Sequence, residues 1–168
     1  MKIIMDEHAM KRSMVRMCHE IIEKNKGLDK VVLLGIETRG ATLAFRMAKL
    51  LKEFENVDVP VASLDVSYWR DDMKTEKEAF RLPISVQDRI VVLVDDVLYK
   101  GRTARAAMDG IVYNGRPRQI QLAVLVDRGN RELPIRADFV GKNIPTSLQE
   151  QVRVKLNEDD NDEAVVLF

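Results

Sequence analysis

Apolar residues recur along the chain with two different periods. Met10, Met14, Met17, Ile21 and Ile22 fall at steps of three and four, which predicts an amphipathic helix over Asp6 to Asn25. Asp6 and Glu7 stand where a helix N-terminus is electropositive, and Gly27 lies just past a plausible end. Elsewhere the apolar residues run consecutively. Val31–Leu34, Val91–Val94 and Gln119–Val126 read as strands buried on both faces of a parallel sheet, and Pro60–Val66 reads as a further strand. A helix is expected from the turn at Gly35–Gly40 to about Phe54. An Ala-rich helix is expected from Thr103, placed as its cap, to the stop signal Asn114-Gly115. Phe139–Gly141 is a short apolar segment. Gln151–Leu156 and Ala164–Leu167 flank the acidic stretch Asn157 to Glu163 and read as a hairpin.

Strands alternating with helices predict an α/β fold around a parallel sheet. One segment breaks the pattern. Tyr68 to Leu82 carries Lys74, Glu76, Lys77 and Glu78 with no apolar period, which predicts a long loop or mobile hairpin. Loops of this length are usually functional.

Composition narrows the picture. The 168 residues suit one domain, 1–168, large enough to bury a core without a disulfide or metal. The single cysteine, Cys18, permits no internal disulfide, has no metal-binding partner spacing and is expected in the core of a protein from a reducing, cytoplasmic compartment. Met1 to Met5 is too short and too soon followed by charge for a signal peptide, and no stretch approaches the roughly 20 apolar residues of a membrane span. The 27 basic and 27 acidic residues cancel, which argues against a generic nucleic-acid binder. The charge is uneven, however: five acids crowd Glu158 to Glu163, so the rest of the chain has a positive balance. Lys11, Arg12, Arg16 and His19 lie on the outer face of the first helix, either as a solvated face or as part of an RNA surface.

The candidate chemistry centres on residues 91–108. A buried strand leads into two carboxylates, Asp95 and Asp96, then into a short loop with Lys100, Gly101, Arg102 and Thr103 at a helix start. Backbone N–H groups, a hydroxyl and a helix N-terminus make an anion site suited to a monophosphate. Carboxylates accept hydrogen bonds from a diol and would repel a phosphate. The stretch therefore reads as a cradle for ribose 5-phosphate. It is neither a Walker loop nor a dinucleotide fingerprint, because G-x-x-x-x-G-K-[ST] and G-x-G-x-x-G are both absent. A ligand-free strand, acidic turn and capped helix is the alternative reading. Arg39, between small residues at a strand-to-helix turn, is a poor core element but a good anion ligand. Arg128 directly follows an apolar strand, a ligand position in open parallel sheets. Neither His8 nor His19 belongs to a candidate catalytic triad.

The acid pair with its loop resembles the signature of type I phosphoribosyltransferases. Gly35-Ile36-Glu37-Thr38-Arg39-Gly40, Tyr68-Trp69-Arg70-Asp71-Asp72, the run Asp127–Asp138 and Gly141–Ser147 narrow this to a resemblance to the pyrimidine operon attenuation regulator (PyrR) family over nearly the whole chain. The resemblance implies a type I phosphoribosyltransferase fold: a central, mostly parallel sheet flanked by helices, a small hood at about 67–84 and a C-terminal β-hairpin. It implies transfer of a phosphoribosyl group from phosphoribosyl pyrophosphate (PRPP) to uracil, giving uridine monophosphate (UMP) and diphosphate, with Mg2+ arriving on the diphosphate. Thr38 and Arg39 would contact the pyrophosphate, and Arg70 the substrate from a flexible hood. Asp95 and Asp96 would serve the ribose, and Val97, Leu98, Tyr99, Lys100, Gly101, Arg102 and Thr103 the phosphate loop. Arg128 and Val152 would complete the substrate site. His19, Arg131 and Arg136 would contact the leader mRNA of a pyrimidine operon, in a homodimer or higher homo-oligomer.

The chain departs from the family pattern at four places. The hood is several residues short, Lys100 stands for the usual Thr, Val15 for a polar residue, and Asn130 for the usual His. The alternative is a paralogue that keeps the nucleotide site while RNA binding or transferase activity is weak or lost.

Overall fold

The computed structural model describes residues 1–72 and 76–168. Strand β1 (Lys2–Met5) opens the chain and leads into helix α1 (Glu7–Asn25), which Asp6 caps by accepting the Ala9 N–H at 2.8 Å. Then come β2 (Val31–Ile36), α2 (Arg39–Glu55) and β3 (Val61–Leu64). A single 3-10 turn covers Ser67–Trp69, and β4 (Ile90–Leu98), α3 (Arg102–Asn114) and β5 (Gln119–Asp127) follow. The chain finishes with β6 (Phe139–Asn143), β7 (Val152–Lys155), the short α4 (Asn157–Asp160) and β8 (Ala164–Leu167).

Five strands form a parallel sheet in the order β3-β2-β4-β5-β6. Strand alternation divides the core into two layers. Leu33 of β2, Val92 and Val94 of β4 and Leu125 of β5 face α1 and α2, while Val32, Leu34, Val91, Leu93 and Val124 face α3. The order also creates the feature that positions the site. The chain leaves β2 toward β3 on one side and leaves β4 toward β5 on the other. The two strands stay paired only as far as Gly35 and Val94, so a crevice opens beyond their C-terminal ends, where ligands bind in open α/β sheets.

Two expectations are corrected. The strand that carries the acid pair does not stop before it: β4 runs on to Leu98 and stays paired to β5 through Asp95, Val97 and Leu98. The cap of α3 is Gly101, at φ 93°, and not Thr103, whose hydroxyl serves elsewhere. The expected C-terminal hairpin, β7 with β8, is present, and β1 extends it into a three-stranded antiparallel sheet by adding to the other edge of β8.

Segment 67–84 contains no strand among its described residues, and Lys74 lies outside them. On the return limb, Phe80, Leu82 and Ile84 pack on the α3 side of the core. Asn114 fixes that limb by donating to the Phe80 carbonyl and accepting from the Leu82 N–H. Trp69 packs on Gly110 of α3. Cys18 is fully buried. Among the described residues no helix is long and apolar enough to cross a membrane.

Candidate active site

The loop after β4 and the start of α3 wall a cavity of about 310 Å3. Asp95, Val97 and Leu98 line it from the strand, and Tyr99, Lys100, Gly101, Arg102 and Thr103 from the loop and helix start. Arg70 enters from segment 67–84 and donates to the Thr103 hydroxyl oxygen at 2.6 Å. Thr103 is thus an acceptor at the mouth of the site. Leu122 and Val124 form the apolar back wall, and Glu132 reaches in from the segment after β5.

Two predicted groups stand outside this cavity, on the β2 side of the crevice. Thr38 and Arg39 begin α2, after a cis peptide bond between Glu37 and Thr38. The helix start presses so close to the sheet that a Cβ on Gly40 would lie 2.5 Å from the Val94 carbonyl oxygen and 3.2 Å from Asp95 Oδ1. Glycine is therefore required there by backbone proximity. The two acids divide their influence. Asp96 carries charge toward Arg39, whereas Asp95 carries it toward Arg70. Asp95 Oδ1 accepts the Asp96 N–H at 2.8 Å, and Asp96 Oδ1 accepts the Val97 N–H at 2.7 Å. Burial, and next the charge of Asp96, hold the Asp95 carboxyl well above its ordinary pKa.

Three guanidinium groups around the crevice are engaged by acids. Arg39 pairs with Asp160, Arg70 with Asp72, and Arg102 with both Asp71 and Glu132. Each guanidinium is raised in pKa, chiefly by a hydrogen bond to its carboxylate. Lys100 Nζ lies 3.8 Å from Glu132 and 5.4 Å from the centre of the Tyr99 ring.

Arg128 is buried, with its guanidinium 3.9 Å from the Tyr99 ring centre. It donates to Thr146 Oγ1 and to the carbonyls of Ser147 and Glu150. Its side chain thereby braces the 99–103 loop from behind through Tyr99. Val152 begins β7 opposite Leu167, away from the cavity lining. Pattern reading did not single out Asp160, Asp71 or Glu132; their partners are distant in sequence.

The predicted RNA residues lie apart from the cavity. His19 is exposed on α1 and stacks on Phe54, with ring centres 4.3 Å apart and planes 17° apart. A groove of about 570 Å3 runs past it, lined by Lys11, Arg12, Val15 and Arg16 among others. Arg16 is anchored by donating to the Gly141 and Val140 carbonyls of β6. Arg131 and Arg136 are exposed on the segment between β5 and β6. Asp138 of that segment lies 4.0 Å from Lys24 of α1. Asn130 adopts φ 60° and donates to the Thr146 carbonyl, a left-handed conformation that asparagine tolerates well.

A parallel sheet with a crevice at its switch point, an acid pair in the central strand and an anion loop at the next helix define a type I phosphoribosyltransferase. The phosphoribosyl transferase domain family matches residues 1–158. The solved hypoxanthine phosphoribosyltransferase of Trypanosoma cruzi superposes with a TM-score of 0.78 at 20% identity, covering 99% of this chain and 95% of that one. The Staphylococcus aureus hypoxanthine phosphoribosyltransferase gives 0.75 at 19%, covering 98% and 90%. At such identities the likeness shows the fold alone. Relatives named bifunctional protein PyrR are much nearer in sequence. The one from Streptococcus suis is 55% identical over 166 residues, covering 99% of this chain and 96% of the relative. That from Streptococcus sanguinis is 52% identical over 167 residues, covering 99% and 97%, and that from Clostridium novyi 53% over 171, covering 99% and 96%. The chain belongs to the PyrR family, bifunctional proteins that join pyrimidine operon regulation to uracil phosphoribosyltransferase activity.

Proposed function

We propose that this chain transfers the phosphoribosyl group of PRPP to uracil, and that the same pocket senses UMP to control binding of a pyrimidine operon leader mRNA. The reading takes 1–168 as one cytoplasmic catalytic unit with residues 67–84 as its hood, working as a homodimer or higher homo-oligomer. It is carried by one juxtaposition: the Asp95 carboxylate and the 99–103 loop line a single cavity, with Arg70 tied to Thr103 across its mouth.

In the reaction the anomeric C–O bond to the diphosphate breaks, and uracil N1 bonds to that carbon and gives up its proton. Positive charge builds on the ribose ring and negative charge on the leaving group, so the site needs fixed charges and not a nucleophile. Asp95 and Asp96 hold the ribose side. Thr38 and Arg39, at the N-terminus of α2, receive the diphosphate. The Gly101–Thr103 backbone and Arg102 take the 5′-phosphate, with Lys100 supplying a cation in place of the usual hydroxyl. Arg128 keeps Tyr99 and the loop in place, while Val152, in β7 and outside the cavity lining, has no direct part in holding the substrate. Closure of the hood excludes the water that would hydrolyse the reactive ring.

Among the described residues no three His, Cys, Asp or Glu side chains converge as a metal cage. The two aspartates are hard oxygen donors beside the diphosphate position, a donor set that fits Mg2+ carried in by PRPP. When bound, Mg2+ offsets the charge of the leaving diphosphate.

His19, Arg131 and Arg136 contact RNA in this reading, arginine by phosphate pairing and base stacking. Two assays test it. Asp95→Asn with Asp96→Asn should abolish UMP formation from uracil and PRPP in a protein that remains folded; wild-type turnover overturns the catalytic assignment. Filter binding to a leader stem-loop should be salt-dependent and sharpened by UMP, and a flat response to UMP counts against regulation.

A further inference from the structure

Arg102 ties three parts of the molecule together. Its Nη1 donates to Asp71 Oδ2 of the hood at 3.0 Å, and its Nε donates to Glu132 Oε1 at 2.9 Å. The other oxygen of Glu132 faces Lys100 Nζ at 3.8 Å. One carboxylate therefore faces both cationic side chains of the phosphate loop, inside the cavity where a phosphate would sit.

Glu132 also belongs to the segment that presents Arg131 and Arg136. That segment is coupled to the loop through its main chain, because the Glu132 N–H donates to the Lys100 carbonyl at 2.8 Å. A Cβ on Gly101 would lie at ordinary contact distance, 3.6 Å, from side-chain atoms of Leu133 and Ile135. Loop and segment are in contact, so a charge change at one is felt at the other.

We propose that Glu132 is the sensor residue linking phosphate occupancy to RNA affinity. A bound 5′-phosphate competes for Arg102 and Lys100 and repels the Glu132 carboxylate. Glu132 withdraws, and the segment bearing Arg131 and Arg136 moves with it. Asp71 meets the same guanidinium but lies on the hood, outside the RNA-facing segment. Two acids thus compete with the phosphate, and only one is connected to the RNA surface. The inference rests on the UMP-sensing reading above.

UMP binding is followed by Trp69 fluorescence and calorimetry, and leader stem-loop affinity is measured with and without UMP, for wild type, Glu132→Gln and Asp71→Asn. Both substitutions remove a competing charge from an exposed ion pair, so each should tighten UMP binding about threefold. Asp71→Asn should keep the wild-type enhancement of RNA affinity by UMP, whereas Glu132→Gln should lose at least half of it. Circular dichroism and thermal melting, with Glu132→Ala as a second variant, establish that the variants compared are folded. If the wild-type protein responds to UMP and Glu132→Gln responds equally, the sensor assignment fails while the functional reading stands. If Asp71→Asn loses the response as fully as Glu132→Gln does, the assignment to Glu132 fails as well. A wild-type protein that does not bind UMP overturns both.

Discussion

Arg39 and Asp160 face each other across 121 residues of sequence, with Nε donating to Oδ2 at 3.1 Å and Nη2 donating to Oδ1 at 2.5 Å. Asp160 Oδ2 also accepts the Leu156 N–H, so the carboxylate is fixed on both sides. The contact is one of a row along α2. Thr42 donates to Asp159, and Arg46 pairs with Glu158 and Glu163. The acidic segment near the C-terminus thus seats against the helix whose N-terminus is assigned the diphosphate.

Asp160→Asn should therefore raise KM for PRPP about fivefold, with kcat less affected, because an unbraced Arg39 samples other rotamers before it can meet the diphosphate. Steady-state kinetics decide it; a lowered KM would show that Asp160 only competes with substrate. The pair is partly exposed, so its contribution to stability is at most about 1 kcal/mol. Arg39 holds the Asp160 carboxyl below its ordinary pKa. That stabilisation is present above the unfolded-state value of about 4 and is lost as pH falls through the depressed one. The melting temperatures of wild type and Asp160→Asn should differ at neutral pH and converge in acid.

Asp95 has the opposite sign. Its pKa is raised by burial, then by Asp96, so the folded protein favours the protonated form. The associated stability is present in acid and lost as pH rises through the raised value. Asp95→Asn keeps an oxygen to accept the Asp96 N–H and removes the charge. It should melt higher than wild type at neutral pH, with the advantage shrinking toward pH 4, while transferase activity falls on the order of 100-fold. Calorimetry across pH together with a transferase assay tests both halves.

Burial pushes the pKa of the Cys18 thiol up to about 12. Thiolate, the reactive form, is then scarce, and the sulfur is inaccessible as well. A thiol reagent such as dithionitrobenzoate should label the protein only after denaturant is added; labelling at the rate of a free thiol would contradict the packing of α1.

The strands and helices that carry the site were legible because Val31–Leu34, Val91–Val94 and the methionine spacing of α1 are strong local signals. What escaped was set by distant partners or by backbone angles. Lys2–Met5 is a strand only because residues 165–167 pair with it. Thr103 has the composition of a cap, but the positive φ of Gly101 moves the helix start two residues earlier and leaves the hydroxyl to Arg70. The acid pair was legible as two carboxylates following a buried strand, but its geometry was not: because β4 continues through it, Asp95 lines the cavity and Asp96 does not. Asp160 and Glu132 carry no local signature, since each gains its significance from a cation on another element.

Gly110 links α3 to the segment that carries Trp69. A Cβ there would lie 2.8 and 2.9 Å from ring atoms of Trp69, too close for the ring to stay where it is. Alanine in a helix interior gains about 1 kcal/mol over glycine, and overpacking costs about 1–3 kcal/mol, so the net change in stability is small. The displacement is the larger effect. Trp69 also offers its carbonyl to Arg105 at 3.3 Å, and Arg70 follows it directly in the chain. Gly110→Ala should shift the emission of the only tryptophan to the red and raise KM for PRPP severalfold through Arg70, with little change in melting temperature. Unchanged emission would mean that the ring is not held against α3.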